Sequence, residues 1–304
     1  MYALAQPRTD DPLAGLLLAV LAAVLFAVGA VLQHEAAELS RTARGLSLRR
    51  LIKRRRWMLG QSATVLGTLT QVVALAVAPV AVVQPILAVT LVMSLAFRAV
   101  RNRTAPLRLE LVGAALTTGG LAVFLLAAEP ESSAGHGPPS SLEVIFAVAL
   151  SLSLVLAATL LGHGAHGALA CGGVAGIAAG IAAVLISVGV RSLQENGWAK
   201  ALAGVTVWGA VLVALIAIVA GQQAYARGAL AWSLPALIVL DPLAAIPAAW
   251  LLLGEQLEPG SAGIWVPAAL VAAVGVVVLA RTGQPHVAEE SGPAPDESGR
   301  AVPA

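Results

Sequence analysis

The sequence predicts an all-α membrane protein of nine transmembrane helices built on an inverted repeat. Three observations predict it. Of the 304 residues, 59% are hydrophobic and only 11% are charged, against about a quarter charged in soluble domains. Nine stretches stay apolar over the ~20 residues that a helix needs to cross a bilayer core. The Lys and Arg residues crowd into alternate loops. The same balance excludes a soluble domain and a nucleic-acid binder: the pI of about 9.1 rests on a net charge of only +2. A single cysteine, Cys171, excludes an internal disulfide framework.

The elements follow in order. Residues 1–12 form a short extracytoplasmic segment. The spans are 13–32, 57–78, 80–100, 107–127, 142–161, 168–190, 201–221, 230–253 and 262–280. The first is not a signal peptide, because Asp10 and Asp11 precede it and Gln33-His34-Glu35 follows it. Spans two and three meet at Pro79 with almost no loop and read as a tight helical hairpin. Residues 13–128 thus hold the first repeat of four spans. Residues 129–141 are a polar loop of Ser, Pro and Gly, and 142–281 hold the remaining five spans. Residues 282–304 are too rich in Pro, Glu, Ser and Gly to bury apolar surface, and read as a disordered tail.

Charge fixes the expected orientation. The loop after span one carries eight basic residues, and Arg98, Arg101, Arg103 and Arg108 flank the turn after span three. Only Arg8, Arg191 and Lys200 of the 18 Lys and Arg fall on the other side. The positive-inside rule then places the amino terminus outside, the carboxyl terminus in the cytoplasm and the protein in the cell membrane. The 49–56 run reads first as a topology anchor, with an anionic-lipid patch as the alternative.

Spans one to four pair with six to nine, leaving span five alone. Residues 85–127 overlay 235–277, matching Pro85 to Pro235, Leu87 to Leu237, Val89 to Val239 and Gly113 to Gly263. Val28, Gly29 and Glu35 similarly meet Val188, Gly189 and Glu195. An offset of five helices is odd, so each repeat crosses the membrane opposite to its partner. Inverted repeats are a transporter architecture, with the site near the bilayer midplane.

Asp241 is the one acid at the centre of a span. Such a charge costs at least ~2.5–3.5 kcal/mol on insertion scales, so it belongs in the bundle interior or a wet cavity. Pro242 follows it, and Pro235 and Pro247 lie one to two turns away, so span eight reads as kinked or discontinuous. Pro85 is the corresponding helix break in span three. Gln71, Gln84, Gln222 and Tyr225 are further intramembrane polar groups that fit either a polar substrate or helix–helix hydrogen bonds. Gln33 and Glu35 read as solvated at the end of span one, and Glu255 at the end of span eight. Gly172, Gly176 and Gly180 share one helix face and read as a packing surface. His163 and His166 lack a third ligand, and Cys171 reads as apolar packing.

The segment Ser233-Leu-Pro-Ala-Leu-Ile-Val-Leu-Asp-Pro-Leu243, then Leu252-Leu-Gly-Glu255 and a Gly-rich last span, resembles the drug/metabolite transporter (DMT) superfamily of the EamA-like kind. Gln84-Pro85 looks like the first-half equivalent. Nine spans instead of that superfamily's usual ten are similar to the NIPA-type magnesium transporters. The resemblance covers roughly 13–281 and implies two bundles around a central cavity with alternating access. With no P-loop and no HExxH or GxSxG motif, neither ATP drive nor enzyme activity is expected, and no cofactor. The expected function is gradient-driven secondary transport of a small polar metabolite, with Asp241 as the binding or coupling carboxylate. The alternative is a magnesium or divalent-cation permease with Asp241 as metal ligand. A non-transporting membrane scaffold is the reading from another class. The expected partners are the substrate and the lipid bilayer; a homo-oligomer is neither indicated nor excluded.

Overall fold

A backbone in hydrocarbon has no water to bond, so its N–H and C=O groups must pair within the segment. The computed structural model, which describes residues 12–42, 45–77, 80–128, 130–131, 139–161, 164–254, 256–257 and 261–282, meets this with helices. They run α1 (Pro12–Glu38), α2 (Leu48–Ile52), α3 (Arg55–Val77), α4 (Val80–Ala88), α5 (Thr90–Asn102), α6 (Arg108–Ala127), α7 (Ser141–Thr159), α8 (Ala165–Ala203), α9 (Val205–Arg227), α10 (Leu230–Leu253) and α11 (Ala262–Thr282). Extended backbone among the described residues is limited to two-residue pairings. β1 (Arg41–Thr42) pairs antiparallel with β2 (Gly45–Leu46), and β3 (Pro130–Glu131) with β4 (Gln256–Leu257). Most of the expected amino-terminal segment, the tail beyond 282, most of the polar loop, His163 and Glu255 lie outside the described residues.

Among the described residues eight helical segments are long and apolar enough to cross a membrane, making this a multi-pass membrane protein. Their outer faces carry exposed Leu13, Leu17, Leu142, Leu156, Leu215 and Leu270, all between 51% and 75% accessible. Contiguous apolar exposure of this kind suits lipid, not water. The second expected span forms α3, a helix of 23 residues. It is not among the eight, and it carries Gln61, Ser62, Thr64, Thr68, Thr70 and Gln71.

The helices do not end at Pro85, Pro235 or Pro242, so the discontinuous form of the expected breaks is absent there. Pro85 lies inside α4, and Pro235, Pro242 and Pro247 all lie inside α10, which runs unbroken for 24 residues. The third span tightens four residues past Pro85 instead, where the Val89 amide bonds the Ile86 carbonyl at 3.0 Å. Each proline removes one helical hydrogen bond. In hydrocarbon the remaining bonds hold the helix together, since opening it would strand more polar groups than the proline does. α8 is longer than expected. It continues past the membrane-length segment to Gly197, whose φ of 77° reverses the backbone and suits glycine alone without strain.

Small residues set the packing. The Ser233, Leu237 and Asp241 carbonyl oxygens occupy the places where Cβ atoms of Gly172, Gly176 and Gly180 would be, so α8 and α10 meet backbone to backbone. The three glycines thus form a packing face within the subunit, as their spacing indicates. Gly29 and Gly60 bring α1 and α3 together in the same way, and Gly120 and Gly275 bring α6 against α11. α1 also packs on α4, α5 and α9, and α7 packs on α8 and α9. Ser140 caps α7: its Oγ accepts from the Glu143 amide at 3.3 Å while the Glu143 carboxylate accepts from the Ser140 amide at 2.7 Å.

Candidate functional site

Asp241 is the twelfth residue of the 24 in α10, so the helix places it at mid-length. It is half-buried. Among the described residues, no hydrogen bond or ion pair reaches its carboxylate, whereas Glu35 and Glu110 pair with arginines and Glu38 lies 3.6 Å from His34. Its own backbone is fixed by the α8 glycines, whose face leaves no room for the α10 axis to shift toward them. Pro242 cannot donate to the Ile238 carbonyl, nor Pro247 to that of Leu243, so two carbonyls in this stretch of α10 lose their usual helical donors. Ile238 packs against two apolar clusters, one holding Tyr225 and Leu230 and the other Phe124 and Val239. The acid therefore sits by the junction of the two clusters.

The other expected site residues do not converge on it. Gln222 lies six residues before the α9–α10 turn and Asp241 twelve beyond it. At ~1.5 Å rise per residue they differ by roughly 9 Å in depth. Gln222 is 3% exposed and its Nε2 donates to Gln33 Oε1 at 2.7 Å. Gln33 Nε2 donates in turn to Thr64 Oγ1 at 2.8 Å, and Thr64 to the Gly60 carbonyl at 3.1 Å. This buried relay joins α9, α1 and α3. Tyr225, one turn on from Gln222, is also buried and meets the His34 ring edge-on at 6.1 Å between centroids. Gln71 is half-buried on α3, seven residues and so ~10 Å beyond Thr64. The side chain of Gln84 lies outside the described residues, while its backbone is part of α4.

Gln33 is the functional candidate that sequence reasoning missed. It reads as solvated beside Glu35, yet it is 6% exposed and hydrogen-bonded on both sides. The available signal was spacing: Gly29 and Gln33 are four apart on α1, and Gly60, Thr64 and Gly67 repeat at four and three on α3. Glu35, half-buried, is not merely solvated either. It binds Arg101 through two oxygens and Arg56 at 3.5 Å, tying the ends of α1, α3 and α5 together. Arg98 pairs with buried Glu110 at 2.7 Å, and the same carboxylate caps α6 by accepting from the Leu107 amide.

A groove of about 400 Å³ runs between α6 and α11, lined by residues such as Gly119, Val123, Ile264 and Pro267. It holds no charged or amide side chain and faces the lipid side of the bundle, so it does not serve the Asp241 site. Among the described residues no three His, Cys, Asp or Glu side chains gather as a metal-ion group.

Comparison with known proteins gives one relative and no family. No family model matches the chain, and no solved structure matches it. A protein of Corynebacterium glutamicum described as uncharacterized is 28% identical over 281 residues, which cover 89% of this chain and 96% of that one. The likeness runs nearly end to end and is not confined to one motif.

Proposed function

We propose that this protein is a secondary transporter of a small polar metabolite, with Asp241 as its substrate- or ion-binding carboxylate. The observation that carries the reading is that carboxylate: central in a membrane-length helix, half-buried and without a hydrogen bond or ion pair among the described residues. An acid retained where charge is costly is a functional group by default. The Ile238 and Leu243 carbonyls, which lose their donors to Pro242 and Pro247 in the same stretch of α10, are further acceptors in this helix.

The bundle is proposed to be an inverted repeat of the DMT, EamA-like kind. Helix contacts support this. α1 packs on α3 as α8 packs on α9, and α1 packs on α4 and α5 as α8 packs on α10. α6 and α11, the proposed fourth and ninth spans, pack on each other, as two elements astride a pseudo-two-fold axis do. α7 is left without a counterpart. The outward amino terminus and the cell-membrane location rest on the positive-inside distribution.

The test begins with a thermal-shift screen of small polar metabolites on purified protein, followed by proteoliposome flux of each compound that stabilises it. Asp241→Asn is expected to abolish the shift and lower gradient-driven flux at least tenfold, with the variant still folded and inserted. Undiminished flux in Asp241→Asn would remove Asp241 from the mechanism. Magnesium belongs in the same screen, and a shift by Mg²⁺ alone, lost in the variant, would favour a divalent-cation permease.

A further inference from the structure

The basic residues after α1 do two different jobs, and the structure separates them. Arg54 is tied inward: its Nε donates to Ser40 Oγ at 3.0 Å and its guanidinium to the Leu39 carbonyl at 2.6 Å. Arg56 and Arg101 share Glu35, and Arg98 holds Glu110. Those pairs, together with the His34–Glu38 contact at 3.6 Å, take up the carboxylates at this end of α1 and α6 among the described residues. Of the basic residues after α1 whose side chains are described, Arg49, Arg50, Lys53 and Arg55 remain. All four are exposed, and no acid faces them there.

These four side chains sit on an ordered platform. α2 is anchored by Leu51, which is 1% exposed and part of the apolar cluster around Tyr225. The β1–β2 pairing and the Ser47 amide, which donates to the Ser40 carbonyl at 3.2 Å, close the connection from α1. Ile52 is 55% exposed between the cations, and Met58 and Leu59 are exposed on the first turns of α3 below them. A basic cluster beside outward apolar side chains, at the point where a membrane helix begins, has the chemistry of an interfacial lipid contact. A topology anchor needs only charge, whereas this one is charge displayed on a fixed surface whose own acids are already spent.

We propose that Arg49, Arg50, Lys53 and Arg55 form a binding surface for the phosphate headgroup of an anionic glycerophospholipid in the adjoining leaflet. The acyl chains then lie along Ile52, Met58 and Leu59. The cations span seven residues of helix and turn, so they reach one headgroup or two neighbours. Attraction of this kind falls with salt.

The test uses the full-length protein in nanodiscs of mixed phosphatidylglycerol and phosphatidylcholine, with retained lipid counted by native mass spectrometry. The wild-type protein is expected to retain phosphatidylglycerol about tenfold over phosphatidylcholine. The variant carrying Arg49→Gln, Arg50→Gln, Lys53→Gln and Arg55→Gln is expected to lose that preference. A charge-keeping variant with Arg49→Lys, Arg50→Lys and Arg55→Lys is expected to keep most of it, which guards against misfolding or misinsertion of the neutral one. Equal retention of the two lipids by wild type, or an unchanged preference in the neutral variant, would overturn the proposal. So would displacement of the retained phosphatidylglycerol by millimolar inorganic phosphate, since the surface would then be a site for a free anion.

Discussion

At the residue scale, the buried amide relay and the lone carboxylate make opposite predictions. Gln222 donates to Gln33 beside an apolar cluster that holds Val31 and Tyr225. Removing one partner leaves the other's polar groups stranded, at about 1–3 kcal/mol. Gln33→Leu and Gln222→Leu are each expected to destabilise by that amount, read from reversible unfolding in mild detergent. The double variant is expected to cost less than the sum, because both polar groups leave together. Strict additivity would show that the pair is not a coupled unit. Asp241 has no such partner, so Asp241→Asn is expected to be neutral or stabilising in the same unfolding experiment while it abolishes transport. Loss of stability there would indicate a structural role. Sequence alone reveals Asp241, because a single acid in the middle of an apolar span stands out without any partner. It does not reveal Gln33, whose meaning depends on a residue 189 positions away and whose neighbours in sequence are charged.

At the element scale, small residues decide which helices touch. A Cβ on Gly176 would collide with the backbone of Leu237 and Asp241, so Gly176→Ala must push α10 away. Such overpacking costs about 1–3 kcal/mol. Nothing lies within 4 Å of a Cβ at Gly119, so Gly119→Ala is expected to be tolerated. It gains up to about 1 kcal/mol through helix propensity. Melting temperatures of the two variants in one detergent check the pair: a lower value for Gly119→Ala, or an unchanged one for Gly176→Ala, would contradict the packing. The glycine face was legible because spacing of four is a property of α8 alone. The effect of the prolines was not. Proline removes one donor, but whether a helix then opens depends on what surrounds it, and α10 stays continuous along its glycine-lined contact with α8. In α4 the chain responds one turn later, at Val89, where the amide turns to Ile86.

At the scale of the whole molecule, the number of crossings is the property with most consequence, because orientation and the inverted repeat both depend on its parity. Among the described residues hydropathy marks eight helices, and α3, with its Gln, Ser and Thr residues, is not one of them. That polarity has a structural use: Thr64 closes the Gln222–Gln33 relay, and Gly60 and Gly67 carry the contact with α1. The ion pairs bear on whether α3 crosses. The chain leaves Glu35 at the end of α1 and returns to the same carboxylate at Arg101, the end of α5. Returning to one side takes an even number of crossings. In the proposed nine-span arrangement α4 and α5 together supply one crossing and α3 the other. The same reasoning puts Arg50 and Glu131 on opposite sides, since α3, the α4–α5 pair and α6 separate them. Glu131 and position 256 share a side, in keeping with the β3–β4 pairing. Single-cysteine variants in a Cys171→Ala background test this in intact cells with a membrane-impermeant maleimide. Glu131→Cys and Gln256→Cys are expected to label from outside, and Arg50→Cys only after permeabilisation. If Arg50→Cys and Glu131→Cys label from the same side, α3 does not cross, the chain has eight spans, and the odd offset that makes the two repeats inverted is lost.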